Sequence, residues 1–511
     1  VPQPNREELF KEGILRGPFV GICSELSLDQ TGDSSGFVDC FNMMLVKSQA
    51  WTRRGVTPVS TPTAVSGIAR VYGGGTFPPF GVADVLMGQN LYKYNGGTSF
   101  TTITGPNFNP GGYPFCWATI NKTLCFSHAD DGVQNIQGWV INAATYSALS
   151  ASAPNALCLM EFDNRLVAGN VVFYPGPILF NNRIYYTNSN DATDWTSVNS
   201  GFYTISGDLG PIFALSRIYQ LGYVFSMFGI SQIQLTGNGL SPFYISPFGS
   251  KGKGVLFPFT FAPYGEEGAA YVGSENVFFF DGTESVPIGD RPIEGSHFKG
   301  AWSSILIDLS NMNVLKSPTG IILTSLGSIP YKTYWLSIPG QSTWIYNFKE
   351  QNWTRFQYNL GAGSGNILYI GPIRQNVNSI LDDVGICSDD SFINFSAETT
   401  SIEIGQTWSI TSGQIPFMDL RRNKYVNRFR FCYTDFIPNT KVTVTFTNEK
   451  GVTQTVPITF GTGIHRQAVY VVPITISGVM LQWSISGTRD YPVNFSQFST
   501  YYEECGEYKN T

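Results

Sequence analysis

The chain has 511 residues, of which only 13% are charged and 14% are aromatic, with 54 Gly and 29 Pro. Few charges, many aromatics and frequent turn residues exclude a helical bundle and a disordered chain, and favour strands joined by tight turns. The net charge is −6, from 31 Lys and Arg against 37 Asp and Glu with no basic arm, which argues against sequence-reading of DNA.

Residues 1–60 read as an N-terminal extension or docking segment. Val1-Pro2-Gln3-Pro4-Asn5 shows neither a basic nor an apolar leader region, so no signal peptide is expected. Asn5 with Glu8 reads as an N-cap with a capping-box carboxylate. The expected helix runs through Leu9, Phe10 and Ile14. At two turns it is marginal alone, so these three residues are docking candidates.

Residues 61–392 repeat one phrase: strand, tight turn, strand. Val85-Leu86-Met87 leads to Leu91-Tyr92-Lys93-Tyr94-Asn95-Gly96, and Ala118-Thr119-Ile120 leads to Leu124-Cys125-Phe126. Later come Leu159-Met160-Glu161-Phe162 with Arg165-Leu166-Val167, and Tyr334-Trp335-Leu336 with Trp344-Ile345-Tyr346. Asn95-Gly96 and Asp281-Gly282 suit type I′ hairpins. Recurrence roughly every 40–60 residues in an all-β chain predicts a β-propeller. The repeats are degenerate, and the expectation is five to seven blades, about six. Residues 218–250 carry no charge, yet Gly, Pro and Gln interrupt them, so no membrane span is expected.

Residues 393–511 alternate in strand fashion. Val442, Val444 and Phe446 fall on one face of Lys441–Thr447 and threonines on the other, which predicts a C-terminal antiparallel β-sandwich. The fold class expected is therefore all-β: propeller, then sandwich, with a short N-terminal extension.

Catalytic constellations are scarce. His128, His297 and His465 lie in three different regions, and the eight cysteines form no CxxC pair, so neither a metal nor another cofactor is expected. Cysteines within apolar runs read as buried free thiols. Gly249-Ser250-Lys251-Gly252-Lys253-Gly254 lacks P-loop spacing and reads as a loop. Asp130-Asp131, Glu266-Glu267, Asp382-Asp383 and Asp389-Asp390 are adjacent pairs, which cannot face one another across a glycosidase cleft. Ser189-Asn190-Asp191-Ala192-Thr193-Asp194-Trp195 resembles a sialidase Asp-box, but lacks its Gly and reaches Trp one residue early. It reads as a turn closed by Trp packing. No catalytic residue is assigned and no enzyme activity is expected. Arg421, Arg422, Lys424, Arg428 and Arg430 form the densest basic cluster, read as the wet face of a strand, with Arg421 and Arg422 as docking candidates.

Gly17-Pro18-Phe19-Val20-Gly21-Ile22, Phe41-Asn42-Met43-Met44-Leu45 and Arg53-Arg54-Gly55, in that order, resemble the opening of tail hub or nozzle proteins of short-tailed bacteriophages, the packaged-DNA stabilisation type. Arg183-Ile184-Tyr185-Tyr186-Thr187 and Asn276-Val277-Phe278-Phe279-Phe280-Asp281-Gly282 extend the likeness. The resemblance implies a homo-hexameric ring in the virion tail, assembled in the bacterial cytoplasm below portal and adaptor proteins. It implies a structural role: continuing the DNA channel, helping retain the genome, and supporting fibres or spikes, with DNA passing the lumen without sequence-specific binding. Loops narrowing that channel are expected at Gly73, Gly74, Gly75, Phe77 and Phe80, and at Gly237, Phe243, Tyr244, Lys251 and Lys253. The alternatives are a receptor- or glycan-binding propeller and a propeller hydrolase.

Overall fold

The computed structural model describes residues 11–16, 21–22, 36–46, 49–52, 56–58, 73–76, 84–87, 90–96, 99–106, 115–128, 135–140, 143–173, 177–247, 252–293, 297–312, 317–323, 332–357, 367–373, 383–388, 392–395, 406–413, 422–488 and 490–507. Strands dominate. Among the described residues they form six separate four-stranded sheets and a seventh quartet within a ten-stranded sheet, together seven blades of a β-propeller.

Blade 1 holds Gly73–Thr76 to Ser99–Ile103, blade 2 Phe115–Ile120 to Ser147–Ala148, and blade 3 Asn155–Phe162 to Gly201–Thr204. Blade 4 runs from Ile212–Ile218 to Phe243–Pro247, blade 5 from Ala262–Tyr264 to Ser285–Pro287, and blade 6 from Thr319–Leu323 to Asn352–Phe356. Blade 7 takes three strands from Ile367–Ile373, Asp383–Ser388 and Phe392–Phe395. Its fourth is Val56–Pro58, from before blade 1. The first strand of blade 7 lies beside that of blade 1, so the circle closes.

The propeller expected from the repeats is thus present, with one blade more than the expected six. The extra blade is hard to see because its last strand is three residues long and lies more than three hundred residues from its partner in sequence. The type I′ turns also fall elsewhere than expected. They occur at Asn121-Lys122 and Asp163-Asn164, where both residues have positive φ. At Asp281-Gly282 only Gly282 does. There the Asp281 carboxylate instead accepts the Thr283 and Glu284 amides at 2.7 and 2.9 Å, an Asx turn.

Flat apolar cores fill the gaps between blades. Leu166, Ala168 and Val171 of blade 3 meet Ala118, Ile120 and Cys125 of blade 2. The opposite face of blade 3, through Val167, Ile184 and Tyr186, meets Leu215, Val224 and Ile233 of blade 4. Alternation along each strand supplies both faces at once.

The sandwich has two sheets. One orders Met43–Val46, Gln49–Thr52, Val493–Glu507, Arg422–Asp435 and Ala468–Gly478; the other orders Gly36–Phe41, Thr407–Ser412, Leu481–Thr488, Lys441–Asn448 and Thr453–Thr459. The alternation of Lys441–Asn448 appears as expected, with Val442, Val444 and Phe446 inside. Both chain ends build this unit, and the propeller is inserted between them. The described residues among the first sixty are therefore not a separate extension: Gly36–Phe41 to Gln49–Thr52 belong to the sandwich, and Val56–Pro58 to blade 7.

The expected helix is also corrected at Ile14. Lys11–Arg16 is a strand antiparallel to Val493–Glu507, with Ile14 opposite Ser499. A single capping box contributes only about 1 kcal/mol to a two-turn helix, whereas the edge of a long strand offers a six-residue ladder. Leu9 and Phe10 lie outside the described residues.

Propeller and sandwich share one core. Phe37, Met43 and Leu45 of the N-terminal strands pack in the same cluster as Tyr334, Trp344 and Trp353 of blade 6 and Phe429 and Trp483 of the sandwich. Phe41 pairs in parallel with Arg355 of blade 6. Beside them Asp39 accepts two hydrogen bonds from the Arg355 guanidinium, at 2.8 and 2.9 Å. Burial opposes the charge of Arg355, but the hydrogen bonds and charge of Asp39 outweigh it and hold its pKa above the ordinary value. Asn42 completes the seam: its amide donates to Arg355 O and its side chain to Thr407 O.

Cys40, Cys125 and Cys158 are buried free thiols. Burial pushes Cys125 up to about 12 and raises Cys40 and Cys158 well above the ordinary thiol value. In the native chain at pH 8 these three remain unlabelled by a maleimide, while half-exposed Cys432 reacts. Peptide mapping after labelling checks this, and modification of Cys125 before unfolding would contradict it.

Candidate functional site

The structure scatters the expected gate residues. Gly73, Gly74 and Gly75 lie on the innermost strand of blade 1. Gly237, by contrast, sits in the last hairpin of blade 4, at the outer rim, with Phe243 and Tyr244 on the strand that follows it. Two of the aromatics differ in kind: Tyr244 is exposed, but Phe243 is buried against Phe162, Tyr186 and Tyr203 and is a core residue. Lys253 lies between blades 4 and 5 and donates to Ser285 O at 3.0 Å. These positions do not converge. Phe77, Phe80, Lys251 and Arg421 lie outside the described residues, and Arg422 opens a sandwich strand opposite Glu507. The basic cluster also divides, since Lys424 is buried and donates to Val479 O while Arg428 is exposed over the Tyr501 ring.

The Asp-box-like phrase is a turn closed by Trp195, which packs between blades 2 and 3. Asp191 accepts the Thr193 amide, and Asp194 accepts those of Thr196 and Ser197. Hydrogen bonding from Ser197, then Thr196, holds Asp194 below the usual carboxylate range. A lowered folded-state pKa contributes stability that is complete above the unfolded value of about 4 and is lost as pH falls through the folded one. The amides of Thr196 and Ser197 therefore lose exchange protection below about pH 4 before neighbouring strands do. Protection unchanged down to global acid unfolding would contradict this.

What the structure does gather is a rim across blades 3 and 4. Tyr186 and Tyr203 stack at 5.6 Å, with Phe243 edge-on to Tyr186 at 5.2 Å. Tyr203 and Ser241 share a hydrogen bond of 3.0 Å, tying the last strand of blade 3 to the outer hairpin of blade 4. Beside this joint Leu235, Leu240 and Tyr244 of blade 4 are each about half exposed or more, and so, elsewhere on blade 3, are Ile178, Leu179 and Phe202. A rigid aromatic base beneath exposed apolar side chains has the make-up of a binding surface.

On the other face of blade 3, the one turned toward blade 2, stands Arg183. Its guanidinium lies 4.3 Å from the Phe180 ring centroid and 4.7 Å from that of Phe202. Behind them Phe173, Tyr185 and Phe180 form a further ring cluster. Regular alternation would set Phe180 and Arg183 on opposite faces. An irregularity in the pairing with Arg165–Phe173 inserts extra residues between Phe180 and Ile184, and brings the two side chains together. In the sequence Arg183 therefore stands only as part of a strand phrase.

A second array crosses the inner hairpins. Arg217 of blade 4 reaches Glu161 of blade 3 at 3.7 Å and Glu266 of blade 5 at 3.8 Å, and Lys332 at the edge of blade 6 reaches Glu267 at 3.2 Å. Such exposed pairs align blades and contribute little energy.

No family model matches the chain, and no curated protein does. Similar solved structures include BBS1N in complex with ARL6DN, soaked with lead, 10% identical over 69% of this chain and 100% of that one, at a TM-score of 0.37. Another is Sqt1 of Saccharomyces cerevisiae, 12% identical over 61% of this chain and 80% of that one, at a TM-score of 0.35. The propeller stands on its own strand order.

Proposed function

We propose that this chain is a structural ring subunit of a short-tailed bacteriophage tail, of nozzle or hub type, and not an enzyme. It assembles in the host cytoplasm, docks below portal and adaptor, carries fibres or spikes, and encloses the channel through which DNA passes. The order of phrases shared with that family suggests the reading. The structural observation that carries it is the fusion of propeller and sandwich through one core. A wall element under internal pressure needs two contact surfaces at a fixed separation, and this seam, with its Asp39–Arg355 pair, supplies them.

Quantitative mass spectrometry of purified particles from the source tests the proposal. A fixed ratio of this chain to the portal protein is expected, and absence from particles overturns it. The exposed rings of Phe202 and Tyr244 favour a second reading, a receptor- or glycan-binding propeller, since such rings stack on sugars. Specific retention on a glycan array, together with absence from particles, would establish it instead.

A further inference from the structure

Among the arginines of blades 3, 4 and 6, Arg165 donates to Thr187 O and Asn199 O, Arg217 faces Glu161 and Glu266, and Arg355 holds Asp39. Arg183 is different. It is half buried, its faces are covered by Phe180 and Phe202, and its contacts are with rings alone. A guanidinium stacked in this way keeps its in-plane N–H donors, in a fork that matches a carboxylate. The side chain is already ordered by its rings, so little further entropy is lost when an acceptor arrives.

We infer that Arg183, with Phe202, Ile178 and Leu179, is a docking site for a carboxylate-bearing surface of a second copy of this chain. The inference rests on the ring reading above. Arg and aromatic side chains beside exposed apolar groups make the centre of a binding interface. The patch offers a cation and, among the described residues, no carboxylate. A two-fold contact of the patch with itself would set guanidinium against guanidinium, so the contact is between unlike surfaces. Such contacts generate rings when the rotation closes. The chain supplies the complement: it is net acidic, and Asp163, Asp208, Glu275 and Glu284 are exposed carboxylates that form no ion pair among the described residues.

Sedimentation velocity of the full chain over a concentration series tests this, with wild type, Arg183→Glu and Arg183→Lys. Wild type is expected to assemble, Arg183→Glu to weaken assembly by roughly 30-fold or more, and Arg183→Lys to fall between. Melting followed by circular dichroism checks the fold. If Arg183→Glu melts lower than wild type, Ile178→Asp decides, because its side chain is 57% exposed. Assembly of a folded charge variant like wild type overturns the docking site and leaves the ring reading standing. A wild type that stays monomeric at every concentration overturns the ring reading and this contact with it.

Discussion

Trp483→Ala lowers the stability of the chain by about 3–5 kcal/mol, read from the urea midpoint. Trp483 is 2% exposed and lies between the two sheets of the sandwich. Its ring centroid is 4.7 Å from that of Phe498, 5.2 Å from Phe429 and 6.5 Å from Phe37. Phe498 comes from the C-terminal strand and Phe37 from the N-terminal strands, so one side chain touches both chain ends. Truncation leaves a void that stiff neighbouring strands cannot collapse into. Trp483→Phe retains part of the contact and costs less. A loss below about 1 kcal/mol for Trp483→Ala would mean that the two sheets are not packed on each other there.

Asp39→Ala costs about 2 kcal/mol, although the pair it breaks is not fully buried. Side-chain exposure is 26% for Asp39 and 33% for Arg355, which tempers the loss through solvent screening. Removing the carboxylate leaves the Arg355 guanidinium over the Phe41 ring without its two acceptors. The single parallel pairing that joins sandwich to blade 6 is beside it. Glu267→Ala serves as the contrast. Its pair with Lys332 is 61% and 46% exposed, and its loss changes stability by no more than about 0.5 kcal/mol. Equal effects from the two substitutions would show that the seam is no stronger than a surface contact.

Local pattern made the strands legible, and partner choice was not. The phrases around Leu124, Leu166 and Trp335 announced hairpins because both strands and the turn lie within a few residues. Val56–Pro58 carries no such signal, since its pairing with Ile393 and Phe395 is set by closure of the whole circle. The same limit hid the N-terminal strands, whose partners lie beyond residue 400. A helix looked reasonable near Ile14 because capping is local and an available strand edge is not.

The rim was partly legible. Tyr244 and the hairpin around Gly237 stand out in the sequence as channel-loop candidates and not as a rim, and Phe243 beside them is core, because successive residues of a strand face opposite ways. Arg183 needed the break in register that no periodicity reveals. Free thiols were readable from their apolar flanks, and the burial of Cys125 and Cys158 follows from the same flanks.

That propeller and sandwich form one body closed by both chain ends is tested most directly by hydrogen exchange resolved by peptide. Peptides covering 36–52 are expected to exchange together with those covering 319–356 and 422–507, in a single cooperative opening whose free energy falls in both Trp483→Ala and Asp39→Ala. Exchange of 36–52 at the rate of unprotected loops, while the sandwich strands stay protected, would contradict it.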